Sequence, residues 1–192
     1  MNKLHIPPLD EQAAKTALEH QKILAKPPLA LGKLEPVAIQ IAAMTGNPAP
    51  RLKDKAVVLF AADHHIADHG LSLTSTDVTY IQTRNFLQGG GTINAFTRNA
   101  GARLSVVDVG VNYDFGDLPG LVKRKVMHGA NDFSRGPAMT REQALECLQV
   151  GIDMAREEKA RGLDIVAAGE MGIGNTTPSS AIVAVLTGTP VE

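Results

Sequence analysis

Apolar residues recur along the chain in two patterns, one typical of strands and one typical of helices. Three short runs are almost continuously apolar: residues 56–62, 104–109 and 164–168. Such runs are typical of strands buried on both faces of a parallel sheet. A weaker strand is predicted at 121–127, and three longer stretches have helical spacing: residues 77–87, 92–99 and 141–161. The alternation predicts an α/β fold with a Rossmann-like, doubly wound parallel sheet.

The residues before the first strand have a helical pattern. Residues 10–25 predict a helix with Asp10 as its N-cap, and a second helix is predicted at 34–44, where Gly46 supplies the C-cap. We therefore expect a small N-terminal helical subdomain followed by a Rossmann-like α/β domain that is apparently truncated, at residues 1–50 and 51–192.

Three local motifs bear on the helices of the α/β domain. Thr140 stands three residues before Gln143, which is the spacing of a capping box, and Thr76 or Asp77 is the expected cap of the helix that follows. The glycine-rich segment 88–92 allows two interpretations, an anion-binding loop or a tight corner between two helices.

Composition narrows the class of protein. The 192 residues have a net charge of −1, no Trp and a single cysteine, Cys147. This charge balance argues against a nucleic-acid surface, and one cysteine cannot form an internal disulfide. No run approaches the length of a membrane span, and the first residues lack the apolar core of a signal peptide. We expect a cytoplasmic protein that binds small molecules, without a nucleic-acid or membrane partner.

Polar side chains follow each of the three predicted strands. Asp63 and His64 follow the first, Asp108 closes the second, and Glu170 follows the third. Ligands of open parallel sheets bind beyond the carboxyl ends of the strands, so these residues are expected at one edge. The Asp-His-His cluster at residue 63 allows a metal site, but the other aspartates that a metal phosphoesterase needs are missing, which favours loop bracing by hydrogen bonds.

The segment 169–177 is the strongest candidate for chemistry. Its glycines allow close approach of the backbone to a ligand, its Asn-Thr-Thr side chains offer hydrogen-bond donors, and a helix is predicted to begin there. A helix N-terminus favours a phosphate. Glu170 would repel a lone phosphate, so a cationic or proton-bearing group is expected beside it.

Six blocks in order across nearly the whole chain resemble the nicotinate-nucleotide:dimethylbenzimidazole phosphoribosyltransferases: residues 26–35, 61–64, 78–82, 106–110, 136–140 and 169–177. The resemblance implies transfer of phosphoribosyl from nicotinate mononucleotide to a benzimidazole-type base by a homodimer. We expect no metal or other cofactor. It implies an active-site role for Glu170 and a phosphate environment formed by five residues: Gly172, Gly174, Asn175, Thr176 and Thr177.

The same resemblance places Thr74 and Gln82 in the base pocket and shows a histidine, His65, where a glycine is usual. From their positions after the strands, Asp63, His64 and Asp108 are expected to brace the loops. Family members are nearly twice as long, and their general-base glutamate falls beyond residue 192, so we expect an N-terminal portion or a shortened homologue. Two alternatives stay open, a non-catalytic module that binds a nucleotide or base, and a metal-dependent phosphoesterase.

Overall fold

The computed structural model describes residues 5–190, which form two units that divide between Lys53 and Asp54. In the first unit, α1 (Glu11–Ile23) and α2 (Leu34–Thr45) pack together through buried alanines: Ala13, Ala17, Ala42 and Ala43. Asp10 accepts a hydrogen bond from the amide of Ala13 at 2.8 Å, as an N-cap does. Gly46, at φ 64°, ends α2 in the left-handed conformation that glycine tolerates.

The second unit contains all of the strands found among the described residues. In chain order its elements are β1 (Lys55–Ala62), a 3₁₀ helix (His65–His69), α3 (Val78–Leu87), α4 (Thr92–Ala100), β2 (Ala102–Gly110), β3 (Leu121–Lys123), α5 (Arg141–Ala160), β4 (Ile165–Met171) and α6 (Thr176–Thr187). The weaker strand predicted at 121–127 is therefore a strand of three residues. No helix in the described part of the chain is long and apolar enough to cross a membrane.

The four strands form one parallel sheet in the order β3-β2-β1-β4. Leu59 of β1 is paired with Val106 of β2 on one side and Gly169 of β4 on the other. Across the sheet from β3 to β1 the strands come in reverse order of sequence, and β4 lies on the other side of β1. This reversal is a topological switch point, the place where open α/β sheets bind ligands.

Helices cover both faces of the sheet, which confirms the doubly wound architecture. Neighbouring residues of a strand point to opposite faces, so a continuous apolar run serves two cores. One core joins Val58 and Val107 to residues of α5: Val150 and Met154. The other joins Leu59 and Val106 to residues of α3 and α4: Phe86, Leu87 and Ile93.

The third strand differs from its prediction. The apolar run predicted burial on both faces, but Ile165 and Val166 of β4 are 43% and 45% exposed. Helix α6, which follows it, has no fully buried side chain. Within residues 5–190, β4 pairs along one edge only, and an edge strand has neighbours on fewer sides than a central one. An apolar sequence alone does not show whether a strand lies at the edge or in the centre of its sheet.

Local sequence predicted the cap of α5 correctly but not that of α3. Helix α5 begins with the predicted capping box, in which Thr140 and Gln143 exchange hydrogen bonds of 2.8 and 3.2 Å. The predicted side-chain cap of α3 is wrong. Asp77 occupies the N-cap position in a helical conformation and makes no side-chain cap bond. The first amides of α3 bond instead to backbone carbonyl groups three residues earlier, on Ser75 and Thr76.

The glycine-rich segment between α3 and α4 is a tight helix corner. Its amides bond inside the corner, Gly90 to the carbonyl of Asn85 and Gly91 to the side chain of Asn94. A Cβ on Gly91 would overlap the Phe86 ring, so the corner leaves room for glycine alone. Because these amides already have acceptors, the anion-binding interpretation of this segment is not supported.

A buried ionic cluster joins α5 to β2. Glu158 is fully buried and accepts hydrogen bonds from Ser105 at 2.6 Å and from Arg103 and Arg161 at 3.1 Å each. Burial alone would raise the pKa of this carboxyl, but the bonds from Ser105 and the two arginines outweigh burial and hold the pKa below its usual value.

Candidate active site at the switch point

The side chains of His64 and Glu170 meet at the switch point between β1 and β4. Glu170 pairs with Phe60 near the end of β4, and His64 lies just beyond the end of β1. The imidazole Nε2 lies 3.4 Å from Glu170 Oε1, and the side-chain Nδ2 of Asn175 donates to Oε2. Both carboxylate oxygens therefore have a protein partner, while 44% of the Glu170 side chain stays exposed and open to a ligand.

Close packing at Gly172 explains why the loop after β4 needs glycine. We call residues 172–175 the β4 loop. A Cβ on Gly172 would overlap the carbonyl oxygen of Ala62 and would lie 2.8 Å from both Glu170 Oε1 and His64 Nε2. Gly174 has φ +81°, and a Cβ there would come within 2.7 Å of Ala67. The glycines thus let the β4 loop pack against β1 and the 3₁₀ helix, a contact within the protein that the sequence did not reveal.

Thr79 anchors the β4 loop to α3. Its hydroxyl oxygen accepts a hydrogen bond from the amide of Ile173 at 3.1 Å, and the residue is fully buried. Sequence reasoning missed this threonine. Its helical spacing to Thr83, which is also fully buried, was the available signal, because two polar residues four apart mark one face of a helix.

Asp63 joins the loops after β1 and β2, and Asp108 braces the second of these loops. Asp63 accepts a hydrogen bond from the amide of Asn112 at 2.7 Å. Asp108 accepts from the amide of Val111 at 2.9 Å and pairs with Lys125 at 3.1 Å. Sequence reasoning missed Lys125, which lay inside the predicted strand 121–127 and had no pattern that pointed to Asp108. The loops after β1, β2 and β4 therefore form one connected group.

The residues expected in the base pocket and at the start of α6 have local partners. Thr74 is exposed and its hydroxyl lies 3.1 Å from that of Ser72, while Gln82 accepts from Asn85 at 3.1 Å. At the start of α6, the amide of Thr177 bonds to the carbonyl of Gly174 at 3.2 Å. The hydrogen bonds described for Thr74 and Gln82 do not reach the β4 loop.

Two cavities adjoin His64. An apolar groove of about 470 Å³ lies between the 3₁₀ helix, the segment 130–139 and α6, and its lining includes Ile66, Phe133, Met139, Ala181 and Leu186. A polar cavity of about 180 Å³ lies on the other side, with Asp63, Asp68, Thr76, Tyr80 and Asn112 in its wall. Among residues 5–190, no three or more His, Cys, Asp or Glu side chains are arranged to hold a metal ion.

Comparisons with known proteins identify the family of the chain. A family model described as phosphoribosyltransferase matches residues 6–192. A nicotinate-nucleotide–dimethylbenzimidazole phosphoribosyltransferase from Geobacter sulfurreducens is 49% identical over 184 residues, which are 96% of this chain and 52% of the relative. One from Chloroflexus aggregans is 48% identical over 187 residues, 97% of this chain and 53% of the relative.

Solved structures give the same result. A crystal structure of CobT from Thermus thermophilus is 44% identical and superposes with a TM-score of 0.89 over 93% of this chain and 54% of the other. The chain thus spans about half the length of the relatives it matches. The match confirms the resemblance found in the sequence and does not support the phosphoesterase alternative: the chain belongs to this phosphoribosyltransferase family.

Proposed function

We propose that this protein transfers phosphoribosyl from nicotinate mononucleotide to a benzimidazole-type base. The products are α-ribazole 5′-phosphate, nicotinate and a proton. The observation that supports this proposal most directly is the position of Glu170, which lies at the switch point with both carboxylate oxygens oriented by the protein and much of the side chain exposed. Family membership supports the choice of substrates.

The chemistry of the substrates defines what the site must supply. The C–N bond to the pyridinium ring breaks, and its electron pair stays with the departing nicotinate, so the leaving group needs no proton. The ribose then develops positive charge at its anomeric carbon. A fixed carboxylate close to that carbon stabilises this charge, because a group oriented in advance does not have to reorganise during the reaction. We assign this role to Glu170.

The incoming base completes the exchange. Its ring nitrogen attacks from the face opposite nicotinate, which inverts the anomeric carbon from β to α, and its N–H proton must pass to a general base. We propose that Thr74 and Gln82 line the pocket for this base. Asp63, His64 and Asp108 brace the loops that enclose it.

The phosphate of nicotinate mononucleotide is the third group to be placed. We propose that it lies against the β4 loop and the first residues of α6: Gly172, Gly174, Asn175, Thr176 and Thr177. Pro178 follows them and has no N–H, so the hydroxyls of Thr176 and Thr177 take a larger share of the hydrogen bonds to phosphate than they would at another helix start. We also propose a cytoplasmic homodimer and a domain division at residues 1–50 and 51–192.

Calorimetric titration of this chain with nicotinate mononucleotide tests the proposal. The wild-type chain is expected to bind. Glu170→Gln removes the charge that faces the pyridinium, and because the site is partly exposed we expect binding to weaken about fivefold. Glu146→Gln is the matched control, since it makes the same change at an exposed position on α5 and should leave the dissociation constant unaltered.

The same samples, incubated with dimethylbenzimidazole and assayed for α-ribazole phosphate by chromatography, separate binding from turnover. A folded wild-type chain that does not bind nicotinate mononucleotide would refute the proposal, and a Glu170→Gln variant that binds it as tightly as wild type would refute the expected interaction of Glu170 with the bound substrate. Binding without product would favour the alternative of a non-catalytic binding module for this chain.

A further inference from the structure

We propose that His64 is the positioning residue for Glu170: its imidazole fixes the orientation in which the carboxylate meets the ribose. This inference rests on the proposed function for its consequence in binding, and on the contacts of the two side chains for its physical basis. In this proposal His64 acts through Glu170.

The contact determines which nitrogen of His64 bears hydrogen. A carboxylate oxygen can only accept, so the ring nitrogen that faces Glu170 Oε1, Nε2, must be the one that donates. Asn175 donates to the other oxygen. Two donors on two oxygens fix the rotation of the carboxylate group as well as its position, which a single hydrogen bond does not do.

The remaining ring nitrogen supports the same tautomer. Nδ1 of His64 is buried, and no residue in the described part of the chain bonds to it. A buried N–H without an acceptor costs more free energy than a buried nitrogen lone pair without a donor, and proteins rarely leave a buried N–H unpaired. Hydrogen on Nε2 therefore satisfies Glu170 and leaves Nδ1 as the acceptor nitrogen.

The histidine is held more firmly than the glutamate, which sets the direction of the effect. The His64 side chain is 16% exposed and that of Glu170 is 44% exposed. The backbone on either side of His64 is fixed, because its carbonyl accepts from Ala67 and the next amide bonds to Ala130, both at 2.9 Å. Gly172 packs close beside the imidazole. The anchored ring therefore orients the exposed carboxylate.

A double-mutant cycle on this chain distinguishes positioning from a general structural role. We expect His64→Ala to weaken nicotinate mononucleotide binding about threefold, because the bond lost is partly exposed. In a Glu170→Gln background the same substitution should change binding by less than about 1.5-fold, since the group that His64 orients is then altered. His64→Gln restores a donor at a similar reach and should recover most of the loss. His69→Ala, which removes a partner of Asp132 instead, is the control.

A second measurement needs no ligand. Long-range ¹H–¹⁵N correlation spectra of the imidazoles report which nitrogen bears hydrogen, and wild-type His64 is expected to show hydrogen on Nε2. If wild type fails to bind nicotinate mononucleotide but this spectrum is found, the proposed function fails and the orientation of Glu170 by His64 stands. Hydrogen on Nδ1 alone, or equal losses from His64→Ala in both backgrounds, would overturn the inference.

Discussion

Replacing Gly172 by alanine tests whether the packing of the β4 loop positions the site. The added methyl group would overlap the carbonyl oxygen of Ala62 and would lie 2.8 Å from the facing atoms of His64 and Glu170. Non-bonded contacts of a methyl carbon lie at about 3.5 Å or more, so relieving the contacts with His64 and Glu170 takes a shift of roughly 0.7 Å, and clearing the Ala62 oxygen takes a larger one. Ala62 belongs to the central strand β1 and cannot yield easily. The β4 loop must therefore move, and Glu170 with it.

The loss of stability in Gly172→Ala can be worked from overpacking and compared with the same substitution at another glycine of the chain. Forcing a methyl group into a filled site typically costs about 1–3 kcal/mol, and we expect Gly172→Ala to lower the free energy of unfolding by about 2 kcal/mol. Gly151→Ala makes the same chemical change inside α5, where a Cβ meets nothing within 4 Å. Since alanine is the better helix former, that variant should gain about 0.5–1 kcal/mol.

Urea unfolding of both variants measures these differences, and calorimetry with nicotinate mononucleotide measures the effect on the site. Gly172→Ala should lose binding at least about tenfold, while Gly151→Ala should bind as wild type does. The reasoning would be refuted by a Gly172→Ala variant whose urea midpoint and affinity both match wild type, because the close contact would then have been relieved without moving Glu170.

Three further changes test other parts of the structure. Ser105→Ala removes a hydrogen bond to the buried Glu158 carboxylate and should lower the free energy of unfolding by about 2 kcal/mol at neutral pH. Because the pKa of Glu158 is depressed in the folded state, this difference from wild type should persist above about pH 4.3 and shrink as the pH falls below it. Urea unfolding of both proteins between about pH 3 and pH 7 measures it. Thr79→Val leaves the amide of Ile173 without its acceptor, so unfolding should cost about 1–2 kcal/mol less and nicotinate mononucleotide should bind more weakly by calorimetry. A joint Val185→Lys and Leu186→Lys substitution on exposed α6 should reduce binding of a hydrophobic dye and concentration-dependent association in sedimentation; unchanged values would show that this surface does not drive association.

The central part of the fold could be predicted from the sequence because local and global signals agree there. The runs at β1 and β2 are apolar at nearly every position, and both faces are in fact covered by helices. The capping box at Thr140 is a local signal and formed as predicted. The cap of α3 failed because turns from Ser75 and Thr76 had already placed Asp77 in a helical conformation.

The site was predictable as a location and not as a set of contacts. The rule that ligands bind beyond the carboxyl ends of parallel strands brought His64 and Glu170 to one edge although they are 106 residues apart. No local pattern could indicate that β4 lies directly beside β1, that Thr79 accepts from the β4 loop, or that Lys125 pairs with Asp108. These contacts depend on strand order and loop packing, which a single sequence does not specify.

Glu170 lies on β4, an edge strand of the sheet, and its orientation therefore depends on the neighbouring loops. β1 and β2 are held by pairing and by helices on two faces, whereas β4 is exposed along most of its length. A carboxylate on such a strand cannot be oriented by the sheet alone. It is oriented by His64 from the end of β1, by Asn175 from the start of α6, and by a loop that Thr79 and Gly172 hold against the better supported part of the unit. Substitutions in these loop contacts should therefore affect ligand binding more strongly than equally destabilising substitutions in the apolar core.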